Sequence, residues 1–195
     1  MPWQWADRET SYGWVSIWLH WLTAGAIVVL LFVGNSIHVV GDSMLRLHTT
    51  IGVAAYPLIV ARLIWRRKRG YVRQRTASGV SHGLLAKLLH TVLLIAMAVM
   101  LVSGPLTAWS GGKQIRLGQT LLPAVSLPAD WFAPLLTIHA FAATVLTWGV
   151  LVHILAVLKH SVWNKDGTFG RMMTPHRIRS VAEAVQHDSL GQNPQ

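Results

Sequence analysis

Ten histidines and no cysteine set the chemistry open to this 195-residue chain. Without a thiol there can be no disulfide, iron–sulfur cluster, thiolate-bound haem or zinc–thiolate site. Two histidines, His139 and His153, interrupt an apolar run of helix length, LTIHAFAATVLTWGVLVHILAVLKH at 136–160. Their spacing of fourteen residues is close to four helical turns, so both rings fall within about 40° of one face. They lie roughly 21 Å apart along the helix, most of the ~30 Å hydrocarbon depth of a bilayer. An ionisable group inside a membrane span is a functional hypothesis by default. Two on one face, at two depths, point to two sites stacked across a membrane.

The elements that would carry these rings follow from the hydropathy. The chain is 52% hydrophobic and 12% charged, with mean hydropathy +0.43 and several apolar runs of helix length. That balance predicts an all-α, four-helix up-down bundle in a membrane. Residues 1–14 read as an interfacial lead-in rich in tryptophan. Spans are expected at about 15–38, 47–65, 84–107 and 131–159, forming a transmembrane domain over 15–160. The first run is too long for a signal-peptide core and carries His20, so it is read as retained. A loop is expected at 35–46, and 108–130 forms the longest loop, whose stretch IRLGQTLLPAV suggests a short interfacial helix. Residues 161–195 form a polar, basic tail in which Ile178, Val181, Ala182 and Val185 recur at helical spacing.

The net charge of +10 could suggest nucleic acid, but its placement decides otherwise. In a four-span layout all lysines and arginines except Arg46, Lys113 and Arg116 fall on the side that holds both termini. The positive-inside rule makes that side cytoplasmic, and membrane lipid, not nucleic acid, is the expected partner of the basic excess.

With this topology the histidines sort by depth. His20, early in span one, and His153, late in span four, fall near the cytoplasmic face. His48, opening span two, and His139, early in span four, fall near the outer face. Zinc would want four ligands around a point, whereas a haem iron needs only two axial ones, so each pair suits a haem and electron transfer. Small residues a turn away (Gly52, Ala24, Ala142, Ala143, Ala156) leave room for a flat ring, or simply promote helix packing. Arg62, fourteen residues after His48 at the inner level, suits a haem propionate or quinone oxygen, unless it snorkels to headgroups. His90, also at the inner level, is a third ligand candidate, a hydrogen-bonding partner or a proton relay. His160, at the boundary, has two readings, a quinone contact or a cap on its helix. His38, His82, His176 and His187 fall in expected loops or tail.

The stretches SIWLHWLTA (16–24), RLHTTIGV (46–53), ARLIWR (61–66), LLHTVLL (88–94), IHAFAATVLTWGVLVHILAVLKH (138–160) and KDGTFGRMM (165–173) resemble the bacterial cytochrome b561 family. The resemblance implies two haem b groups, stacked across the bacterial inner membrane. It implies His20 with His153 for the cytoplasmic-side iron and His48 with His139 for the periplasmic-side iron. The chain's length and layout are similar to the stand-alone type that passes electrons from superoxide to ubiquinone. By that resemblance Arg46, Lys113 and Arg116 would form a superoxide funnel, against Asp42 and Asp130. Arg62 and His160 would contact quinone or a propionate. The linker after span two reads RQRTASG, without the lysine of that type, with Arg75 nearby. Two other expectations stay open: an electron-transfer subunit anchoring a dehydrogenase, hydrogenase or periplasmic haem protein, and a haem-free small transporter.

Overall fold

The computed structural model describes residues 4–7, 11–69, 80–117, 120–123, 125–163, 170 and 172–173. Its elements are α1 (Trp14–Val40), α2 (Asp42–Arg69), α3 (Val80–Ser110), β1 (Arg116–Leu117), β2 (Thr120–Leu121), a 3-10 turn (Ala129–Trp131) and α4 (Phe132–Val162). All four helices are long and apolar enough to cross a membrane. They form a four-helix bundle. In hydrocarbon every backbone group needs an internal partner, which is why the chain is helical almost throughout its apolar length. The hydroxyls follow the same demand: Ser36, Thr91, Thr107, Thr137, Thr144 and Thr147 each donate to the carbonyl one turn back.

The bundle is two hairpins. α1 packs along α2 and α3 along α4, while α2 touches α3 more sparingly. A small apolar core joins the hairpins: Ala55 and Ile59 of α2, Ala96 and Met97 of α3, and Leu146 of α4, flanked by Ile27 and Leu30 of α1. Large apolar side chains cover the outside, with Phe32, Phe141 and Trp148 between 63% and 73% exposed. An apolar exterior of this extent is stable only against lipid. The chain is a multi-pass membrane protein.

The helix ends explain two departures from the expected layout. No loop spans 35–46; α1 runs to Val40 and α2 begins at Asp42. Gly41 alone breaks the rod, at φ +81°, donating to the Ile37 carbonyl while its own carbonyl receives Met44 and Leu45. His38 is therefore helical, as is His82, in the first turn of α3. The stretch expected as an interfacial helix holds an antiparallel β-hairpin instead, pairing Arg116 with Leu121 and Leu117 with Thr120. α3 closes with Gly112 at φ +67°, Gly112 N–H to the Trp109 carbonyl and Lys113 N–H to the Ala108 carbonyl, a left-handed glycine stop. The amphipathic segment expected at 178–185 lies outside the described residues, as do His176 and His187.

At the start of α1, Asp7 accepts from the Gly13 N–H and the Ser16 hydroxyl, both at 2.7 Å, so a carboxylate caps the positive helix end. Ser16 Oγ in turn accepts from Trp65 Nε1 of α2 at 2.7 Å. The end of the bundle holding Asp7, the start of α1 and the close of α4 is called the near end below. The end holding Gly41 and the hairpin is the far end.

Candidate functional site

Four histidines face one another across the seam between the hairpins. At the far end His48 of α2 meets His139 of α4, with ring centroids 6.3 Å apart and planes at 89°. At the near end His20 of α1 meets His153 of α4, again at 6.3 Å, with planes at 70°. The depth arithmetic of the sequence and the observed neighbours agree on which rings meet. Helix α4 supplies one ring to each pair.

The equal spacing has a simple physical reading. A metal–imidazole bond of about 2.0–2.1 Å on each side, plus roughly 1.1 Å from nitrogen to ring centre, places two coaxial imidazoles about 6.3 Å apart. Among the described residues no three His, Asp or Glu converge on one point, as a bare metal ion would need. Two imidazoles at this spacing suit a metal that brings its own equatorial ligands, as a porphyrin iron does.

The second nitrogen of each ring tests the fit. His48 Nδ1 lies 3.1 Å from the Leu30 carbonyl, which can only accept, so Nδ1 carries the proton and Nε2 keeps its lone pair. His139 Nδ1 lies 2.9 Å from the Ser103 hydroxyl, which allows the same tautomer. Glycines bring these partners close. A Cβ on Gly34 would come 3.1 Å from His48 Cε1, and one on Gly104 would come 3.2 Å from His139 Cε1. Gly34 is also the residue one turn after Leu30, so the missing side chain bares that carbonyl for His48. The far pair fits an iron-bound macrocycle with its tautomers as they stand.

The near pair is different. Arg62, only 9% exposed, donates Nη2–H to His20 Nδ1 at 3.0 Å and Nη1–H to the Ser16 carbonyl at 3.3 Å. Arginine has no acceptor, so His20 Nδ1 accepts and the neutral ring carries its proton on Nε2. Metal at Nε2 requires that proton to leave and Arg62 to turn its fork toward another acceptor, for which a carboxylate is the natural choice. The spacing thus fits an iron centre, and the tautomer fits after one exchange of hydrogen bonds. The Thr23 hydroxyl, one turn after His20, is buried with no partner among the described groups.

A third imidazole belongs to the near end. His90 of α3 lies 5.1 Å from His153, ring centre to ring centre, and donates Nδ1–H to the Ala86 carbonyl at 2.6 Å. Trp21 stands edge-on to His20 at 5.5 Å, and its Nε1–H donates to the Met172 carbonyl at 2.7 Å, tying the chain after α4 back to α1. His160 lies in the last turn of α4, two turns beyond His153. At the far end Arg46 and Lys113 are exposed, and Arg116 lies in β1, which packs against α2.

The sequence reading singled out neither Ser103 nor the Leu30 carbonyl, and it gave Gly34 and Gly104 no role beside the rings. The available signal was the glycines themselves, which let a neighbouring helix or side chain come close.

No curated protein matches the chain. A family model described as prokaryotic cytochrome b561 matches residues 11–175, which takes in all four helices and both imidazole pairs. The chain therefore belongs to the prokaryotic cytochrome b561 family, membrane b-type cytochromes that transfer electrons.

Proposed function

We propose that the protein carries single electrons across the bacterial inner membrane, from superoxide outside to ubiquinone near the cytoplasmic face. The observation that carries this reading is the pair of equal 6.3 Å imidazole gaps at opposite ends of one bundle, joined by α4. Haem b held in each gap supplies a one-electron ferric–ferrous couple. His48 and His139 hold the periplasmic-side iron, and His20 and His153 the cytoplasmic-side iron. A haem iron held by both imidazoles of a pair would have no position left for oxygen, which favours electron transfer.

The other residues take roles that follow from charge and place. Arg46, Lys113 and Arg116 form a weakly positive entrance at the far end, which would steer an anion toward the outer pair. Arg62 turns its fork to a propionate or a quinone oxygen. His160 sits at the cytoplasmic boundary to bind a quinone oxygen and hand on protons. Two superoxide ions lose one electron each and leave as dioxygen; one ubiquinone takes both electrons and two cytoplasmic protons to give ubiquinol. Both termini are cytoplasmic in this reading, with residues 15–160 as the working unit and 161–195 as a tail.

The test is anaerobic. Purified protein should show split b-type bands on reduction by a superoxide source, and a ubiquinone analogue should reoxidise them. Absence of the bands sinks the dihaem reading and favours a haem-free transporter. Bands that superoxide cannot reduce, with a dehydrogenase co-purifying, favour an anchoring subunit. Neutralising Arg46, Lys113 and Arg116 together should slow superoxide consumption at low salt and matter less at high salt.

A further inference from the structure

We infer that the two ends of the bundle are built at different potentials, with buried Arg62, backed by Arg66, making the near site the better electron acceptor. This rests on the dihaem reading above and adds to it the residues that set the driving force between the two sites.

The observation is an asymmetry in what touches the four rings. At the far pair the partners of Nδ1 are neutral: the Leu30 carbonyl on His48 and the Ser103 hydroxyl on His139. At the near pair the partner is a guanidinium, 3.0 Å from His20 Nδ1. Arg66, one turn further along α2, is also buried, at 8% exposure, with its guanidinium 5.7 Å from the centre of the Tyr12 ring. Arginine stays charged under all conditions a protein meets. The far end has cations too, but Arg46 and Lys113 are exposed and screened by water. A buried cation is screened far less.

The consequence is a matter of sign. Reduction adds one negative charge to a site, so a fixed cation beside it favours the reduced form and raises its potential. The far site is oxidised by one electron as the near site is reduced by it, and that transfer is downhill toward the near end. Arg62 acts through its charge: with its fork turned to a carboxylate of the near site it offsets that anion, which the neutral partners of the far pair cannot do, and it is a positioning residue of this gradient. The same network holds it in place: Asp7 anchors Ser16, Ser16 anchors Trp65, and the Ser16 carbonyl receives Arg62.

The experiment is redox potentiometry of the purified dihaem protein, with haem content measured in parallel. In the parent, two one-electron components are expected. Arg62→Gln should weaken electron affinity of the higher component by about tenfold or more, about 59 mV for one electron, and leave the lower one in place. Arg62→Lys keeps the charge and should restore most of the loss. Lys87→Gln, which removes a cation from an exposed position on α3, should move neither component. If Arg62→Gln loses haem, Arg66→Gln provides the second measurement, with a smaller fall in the same component. A fall in the lower component, an equal fall in both, or no fall in either overturns the inference while leaving two haems standing. A parent protein without two b-type components overturns the dihaem reading, and this inference with it.

Discussion

At the scale of single residues, the hydrogen bonds to Nδ1 matter as much as the spacing of the paired rings. A metal-binding imidazole that donates its other N–H is fixed in tautomer and orientation, and loss of that partner costs about 10- to 100-fold in metal affinity. Ser103→Ala should therefore weaken loading of the far site by about that factor and spare the near site. Haem titration of the apoprotein, followed by its absorbance, should show one tight and one weakened phase. Two unchanged phases would mean that the Ser103 contact does not hold His139. The histidine pairs themselves were legible in the sequence, because helix rise is constant and depth can be counted. Their partners were not. Whether a carbonyl such as that of Leu30 can be reached depends on what a neighbouring helix leaves bare, and only Gly34 hinted at it.

At the scale of elements, the four helices were legible from hydropathy, and their ends were not. The residues around Asn35, His38, Asp42 and Arg46 look like a loop, yet the membrane protein keeps its backbone bonds closed through all of them but Gly41. The hairpin at 116–121 escaped notice because strands of two residues carry no readable alternation. Gly41 sits at φ +81°, a conformation that other residues adopt at a cost of about 1–3 kcal/mol. Gly41→Ala should lower the stability of the bundle by about that amount. Gly25→Ala, in mid-helix with nothing within 4 Å of the added carbon, should gain about 0.5–1 kcal/mol. Denaturation in mixed micelles would compare the two. Equal effects would show that the α1–α2 turn tolerates side chains.

At the scale of the whole molecule, the proposed direction of electron flow has meaning only if the near end faces the cytoplasm. The density of lysine and arginine argues that it does: Arg66, Arg67, Lys68 and Arg69 close α2 at that end, while among the described residues the far end holds Arg46, Lys113 and Arg116. The absence of cysteine makes this directly measurable, since any thiol introduced is the only one present. Lys113→Cys and Lys68→Cys both place it at exposed positions, at opposite ends of the bundle. A membrane-impermeant maleimide applied to intact spheroplasts should label Lys113→Cys at once and Lys68→Cys only after the membrane is opened. Each substitution removes one positive charge, so the pair also shows whether orientation survives the loss of either. The reverse labelling pattern would put the cation-rich site outside, and the buried arginines would then draw electrons outward instead of in.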